Sequence, residues 1–241
     1  IYLGETEQKK MMILGASELQ VPAIRKAKEL GYQVILVDYN EKAVGFELAD
    51  VKLVVSTLDQ EEVYRQALIF KPDIVLTSTS DGPVRTAAYV NEKLGKKPDL
   101  SYADSLCATI KSHMRQRLKE KKVPIPAYYV VQNFGEFKEA VAALHGSSIV
   151  KPSDNAGSRG VVLLDGGEIR NEEELSRIYE YSKANSRNGT IMVEEYMTGP
   201  EVSVEAMTVN GQTTILAITD KFITPPPYFV EIAHSEPSSL D

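Results

Sequence analysis

Apolar and polar positions along the chain divide it into two stretches of different rhythm. In the first, short apolar runs alternate with helical patterns. Lys10-Met11-Met12-Ile13-Leu14 is a strand-like run ending at Gly15. Val21, Ile24, Ala27 and Leu30 then recur at helical spacing, with Gly31 placed as a C-cap. Gln33 to Asp38 reads as a buried strand and Lys52 to Ser56 as a shorter one. Thr57 or Asp59 can cap a helix that Pro72 stops near Phe70. Ile74 to Thr77 is the next strand, and Pro83 to Leu94 the next helix, closed by Gly95. Strands alternating with helices predict a parallel sheet with right-handed crossovers.

The rhythm changes after about Pro98. Leu106, Ile110, Met114 and Leu118 form one stripe, predicting a single long helix from Ala103 to Lys122. Val123-Pro124-Ile125-Pro126 is an extended joint. Strands over Tyr128–Gln132, Ser148–Lys151, Val161–Asp165 and Thr190–Glu194 are interleaved with helices over Phe137–Leu144 and from the Asn171/Glu174 capping pair to about Ser186. Asn210-Gly211 between two alternating runs, Val202–Thr208 and Thr213–Thr219, signals a hairpin. The expected fold class is therefore α/β: a Rossmann-like parallel-sheet domain over residues 1–110, then an α+β domain over 111–241. Neither an internal repeat nor a low-complexity tract is evident.

Composition narrows the function classes. The chain has 241 residues, 43% hydrophobic and 25% charged, with a net charge of -7 and a pI of about 5.2. An acidic balance argues against general nucleic-acid binding, which uses a basic surplus, and favours a small-molecule partner. No apolar run approaches the ~18 residues of a membrane span, and Ile1 to Lys10 lacks the apolar core of a secretory signal. A single cysteine, Cys107, excludes an internal disulfide framework and fits a cytoplasmic setting. The scattered histidines and the lone cysteine argue against a zinc site.

Five segments can carry chemistry. The turn from Gly15 to Gln20, between a strand and a helix, can aim N–H groups at an anion, and Asp38 ends the second strand where dinucleotide folds place a ribose-binding acid. The G-x-G-x-x-G fingerprint is missing, since Ser17 and Gln20 stand where glycines should, so the turn is open to a purely structural role. Asp81, past the end of the Ile74–Thr77 strand, could hold a substrate ammonium group or cap the next helix. Lys151 emerges from an apolar strand before a small-residue loop, Pro152 to Gly160, whose N–H groups could wrap phosphate oxygens. Glu194 ends a strand and Glu201 begins another, so two carboxylates can face one crevice and accept from an adenine amino group and ribose hydroxyls; an acidic surface turn is the alternative. Glu231 and His234, after the prolines at 225–227, could bind an amine or position a carboxylate, and His234 could instead be a loop histidine with no role.

Ile149-Val150-Lys151-Pro152-Ser153 with its Gly/Ser loop, and Val193-Glu194-Glu195-Tyr196-Met197-Thr198-Gly199-Pro200-Glu201, together resemble the phosphate-loop strand and adenine hinge of the ATP-grasp superfamily. The leading domain resembles the one before the grasp in glycinamide ribonucleotide synthetase, biotin carboxylase and the carbamoyl phosphate synthase large subunit. Asp81-Gly82 and Tyr89 to Gly95 are similar to the carbamoyl phosphate synthase-like and amino-acid ligase branch. The resemblance implies a small lobe over about 124–192 and the start of a second lobe over 193–241. It implies that Lys111 and Lys151 contact ATP phosphates and that the loop from Asp154 to Gly160, with Ser153, Gly157, Ser158, Arg159 and Gly160, folds over them. Glu194 would accept from the adenine amino group, Glu195 and Met197 would supply backbone hinge contacts, and Glu201 would hold the ribose. Glu231 and His234 would lie on the substrate side, with Gly15, Asp38 and Asp81 as substrate contacts in the first domain.

The implied activity is ligation of a small carboxylate to an amine, or to a thiol, through an acyl phosphate, with ATP and Mg²⁺ as cofactors and a homodimer as a possible assembly. The family's Mg²⁺-ligating acids have no counterpart after His234, so the sequence leads us to expect that the metal-binding end of the lobe lies outside the chain and that these residues alone would not turn over. A nucleotide-binding module without chemistry is the alternative, and an NAD-dependent oxidoreductase a third.

Overall fold

The computed structural model describes residues 8–96, 100–155, 157–166, 171–226 and 228–240. Pro98, Ala156, Pro227 and Asp241, which figure in the sequence reading, lie outside the described residues, as do residues 1–7. The chain divides into two compact units, Ile1–Thr109 and Ile110–Asp241.

The first unit is a parallel sheet flanked by helices. Its strands are β1 (Lys10–Leu14), β2 (Gln33–Asp38), β3 (Val51–Val54) and β4 (Ile74–Thr77), in the order β3-β2-β1-β4. Helix α1 (Val21–Glu29) connects β1 to β2 and α2 (Gln60–Phe70) connects β3 to β4, and α3 (Gly82–Lys93) and α4 (Tyr102–Thr109) follow β4. Alternate residues of β1 and β2 serve opposite faces, as a strand's period of two requires. Met11, Ile13, Val34 and Leu36 pack with Ile24 and Ala27 of α1. Met12, Leu14, Ile35 and Val37 pack with Val63 and Ala67 of α2 and Val90 of α3. Both faces are thereby covered, which is why these strands read as unbroken apolar runs. Asp59, rather than Thr57, caps α2, accepting from Glu62 N at 3.0 Å. The strand order reverses at β1/β4, the position where open parallel sheets present a crevice past their C-terminal ends.

The second unit holds two antiparallel-paired sheets. One, in the order β5-β8-β6-β7, comprises β5 (Tyr128–Val131), β8 (Ile191–Glu195), β6 (Ser148–Pro152) and β7 (Val162–Leu164). It packs on α6 (Phe134–Ala143) and α7 (Glu172–Ala184) through Phe137, Ala140, Tyr179, Val150 and Val193. Asn171 accepts from Glu174 N at 2.8 Å and caps α7. The other sheet is β11-β10-β9: the hairpin β9 (Glu201–Val209) and β10 (Gln212–Ile223), plus β11 (Glu231–Ser235). Among the described residues no helix is long and apolar enough to cross a membrane.

One expectation is corrected. The long helix over 103–122 is two helices, α4 and α5 (Lys111–Glu120), because Ile110 adopts an extended conformation (φ -119°, ψ 117°) and becomes the N-cap of α5. The apolar stripe crosses this break, so its spacing signalled one helix where there are two. Residues 231–235, where a loop histidine is one of two readings of His234, pair with β10 as β11.

Candidate functional site

In the first unit, the turn after β1 is closed by the fold itself. Gly15 N donates to Val37 O at 2.8 Å, Ala16 N to Asp38 Oδ2 at 2.8 Å, and Ser17 N to Gln20 Oε1 at 3.0 Å. These three N–H groups are thus paired internally. The buried Asp38 carboxylate also accepts from Asn40 N at 2.9 Å. Asp38 thus locks the β1 turn to the end of β2. Gly45 fits here for want of a side chain, since a Cβ would lie 2.7 Å from Ala16 O. Gln20, which no sequence motif singles out, is buried and donates to Ser78 O at 2.9 Å, tying this turn to the loop after β4. Asp81 sits at the N-cap position of α3 but makes no side-chain capping bond.

In the second unit, β6 and β8 are adjacent and antiparallel, and their register sets Lys151 opposite Met192 and Ile149 opposite Glu194. Lys151 Nζ reaches Glu194 Oε2 at 2.6 Å. A residue missed in the sequence completes the cluster. Arg115, one turn past Lys111 on α5, grips Glu194 with a two-pronged fork, Nε to Oε1 and Nη2 to Oε2, both at 3.0 Å. The Glu194 side chain is 4% exposed. Burial pushes its carboxyl pKa up, but the hydrogen bonds and charges of Arg115 and Lys151 outweigh this and hold it below the usual range. A buried strand-end glutamate demands a cation, which was the one signal pointing to an arginine such as Arg115. The Glu194 carboxylate is therefore engaged by two cations.

The loop after β6 is anchored at both ends. Ser153 is fully buried: its Oγ lies 2.7 Å from Ser112 Oγ, its N–H donates to Thr190 O and its carbonyl accepts from Lys111 N. It joins α5 to the end of β6. Buried Asp154 accepts from Ser186 Oγ at 2.9 Å and from Arg187 N and Asn188 N at 3.0 Å. Lys111 Nζ donates to the Asn155 carbonyl. Gly160, at φ +76°, is wedged where a Cβ would meet Asn185 Cβ at 2.6 Å and Pro152 Cγ at 2.7 Å. Between these anchors Gly157, Ser158 and Arg159 are exposed, with Ser158 Oγ donating to Phe229 O at 3.0 Å.

From β8 the chain runs through Tyr196 to Pro200 into β9, bordering a cavity of about 520 Å³ with Glu201, Lys221, Phe222, Ile223 and Ile232. Met197 and Glu201 line it. The Glu195 N–H donates to Ala127 O at 2.9 Å and its carboxylate accepts from Ala127 N, so of the two expected hinge residues Met197 is the one at the cavity. Lys221 Nζ lies 3.6 Å from Glu201 and 3.4 Å from Glu231. Glu231 is 2.8 Å from His234 Nε2, and His234 Nδ1 is 3.1 Å from Thr219 Oγ1. The hydrogen bond from His234, opposed by some burial and aided by Lys221, holds the Glu231 carboxyl below its usual range. The register of β9, β10 and β11 thus gathers Glu201, Lys221 and His234 in one row across the sheet. Among the described residues no group of three or more His, Cys, Asp or Glu side chains could hold a metal ion.

In order along the chain come a parallel-sheet unit, a sheet whose strand-borne lysine leads into a glycine loop, and a linker bordering a cavity. Residues 109–222 match the phosphoribosylglycinamide synthetase, ATP-grasp (A) domain family. Among curated relatives, formate-dependent phosphoribosylglycinamide formyltransferase of Haemophilus ducreyi is 25% identical over 190 residues, 78% of this chain and 47% of that protein. Among solved structures, an ADP complex of N5-carboxyaminoimidazole ribonucleotide synthetase superposes with a TM-score of 0.76 at 20% identity, covering 97% of this chain and 58% of the other. An L-amino acid ligase from Bacillus licheniformis gives 0.69 at 20% identity, covering 94% and 54%. The chain spans about half the length of the curated relatives it matches.

Proposed function

We propose that this chain forms the nucleotide-binding part of an ATP-dependent ligase that joins a small carboxylate to an amine. The observation that carries the reading is the cavity bordered by residues 196–201, with Lys151 and the anchored loop at 154–160 in the same unit. An adenine would enter between the linker and β10, using the Met197 backbone and the apolar side chains of Phe222 and Ile223. Glu201 would accept from ribose hydroxyls. Lys151 and Lys111 would meet phosphate oxygens, with the N–H groups around Gly157 and Ser158 closing over them.

The family chemistry that suits this set is an acyl phosphate route. A substrate carboxylate oxygen attacks the γ-phosphorus and the β–γ bridging bond breaks to release ADP. An amine then attacks the acyl carbon and phosphate departs. Fixed cations stabilise the moving phosphoryl charge, and exclusion of water protects the acyl phosphate. Glu231 and His234 are assigned to the substrate side, where the carboxylate–imidazole pair can hold or move a proton at the amine. Asp81 is assigned to a substrate ammonium. The described residues do not supply a ligand cluster for Mg²⁺.

Hydrogen exchange with and without MgATP tests this reading. Protection should appear at the amides of 196–201 and 157–160. Protection at the turn after β1, together with binding of NAD instead, would replace the ligase reading with a dinucleotide one.

A further inference from the structure

Glu194 has more positive charge around it than it needs. Among the described residues its Oε1 is held by Arg115 alone, while Oε2 is shared by Arg115 and Lys151. The two cations differ in how they are built. Arg115 is a rigid planar fork on a helix and engages both oxygens at once. Lys151 makes a single contact through a flexible stem, and it stands on β6 directly before the glycine loop. If Lys151 left, both carboxylate oxygens would keep a partner. If Arg115 left, Oε1 would lose its partner, and Lys151 would be the remaining counter-ion of a nearly dry carboxylate.

We propose that Arg115 is the resident counter-ion of Glu194 and Lys151 the exchangeable one. When a nucleoside triphosphate binds, Lys151 swings from Glu194 to a phosphate oxygen, and Arg115 keeps the carboxylate ionised and in place. Arg115 is thus a positioning residue, acting through Glu194 and not on the nucleotide. The inference rests on the nucleotide reading above. It adds what that reading does not contain: a reason why a lysine already engaged in a tight ion pair is available to phosphate. Without the fork, moving Lys151 would strand a buried charge, a large penalty that would be subtracted from nucleotide affinity.

A double-mutant cycle read by MgATP titration tests this. The proteins are the wild-type chain, Arg115→Met, Glu194→Gln and Arg115→Met/Glu194→Gln, each checked for native circular dichroism. The expected result is that Arg115→Met weakens MgATP binding by about tenfold or more when Glu194 is present, and by less than about twofold in the Glu194→Gln background, where there is no charge to strand. Arg115→Lys, which keeps charge but loses the fork, should fall between. It replaces Arg115→Met throughout the cycle should the methionine variant not fold. Equal losses with and without the Glu194→Gln change would overturn the proposal, because Arg115 would then act on the nucleotide or on the fold directly. An unchanged affinity in Arg115→Met would overturn it as well. Failure of the wild-type chain to bind MgATP would instead remove the nucleotide reading, and the exchange with it.

Discussion

Removing the carboxylate of Asp154 should loosen the second unit by an amount the structure sets. The side chain is 7% exposed and accepts three hydrogen bonds, from Ser186 Oγ and from the N–H groups of Arg187 and Asn188. A hydrogen bond to an ionised group contributes about 1.5–3 kcal/mol, so a simple sum would exceed about 4 kcal/mol. Arg187 and Asn188 are themselves exposed, however, so water can satisfy their N–H groups once the carboxylate is gone. That reduces the expected cost of Asp154→Ala to about 3 kcal/mol. For a unit the size of Ile110–Asp241, this corresponds to a fall in melting temperature of about 10 °C. Scanning calorimetry would read it, with Asp154→Asn, which retains one acceptor oxygen, expected between the two. A melting point within about 2 °C of wild type for the alanine variant would refute the claim that this carboxylate anchors the loop.

Other consequences can be checked independently. Gly160→Ala would place a Cβ against Asn185 and Pro152 at a positive φ, and should cost about 2–4 kcal/mol in urea unfolding; an unchanged midpoint would show that the wedge has room. The lowered carboxyl pKa of Glu194 means that the unfolded chain takes up its proton first as pH falls below the ordinary 4.5. Stability from this group is therefore complete above that value and is lost as pH falls through the lower, folded pKa. Glu194→Gln should flatten the acid limb of the stability curve; an identical slope in the variant would contradict the pairing.

Much of the architecture was legible because its signals are local. Apolar runs bounded by Gly and Pro marked β1, β2 and β4, and Asn210-Gly211 marked the β9–β10 hairpin. The misses came where tertiary contacts decide. Ile110 looked like one member of a helical stripe, yet the backbone breaks there, and the first amide of the next helix bonds to Ser153 O at the end of β6. Strand β11 owes its form to pairing with β10, which no local pattern announces. In the site, residue types told which groups could meet a nucleotide but not which were already engaged. Ser153, Asp38 and Gly15 carry suitable polar groups, and the fold uses all three for itself. Arg115 was overlooked because an exposed-looking basic helix gives no hint that one of its side chains reaches a strand end 79 residues away.

The central claim is that ATP binds in the second unit with Lys151 on its phosphates. Isothermal titration of the chain and of Lys151→Ala with MgATP tests it most directly. The account predicts one site per chain in the wild type and affinity lowered at least about tenfold in the variant, the loss of one charged phosphate contact. Equal affinity in the two proteins, or no binding by either while NAD binds, would contradict it.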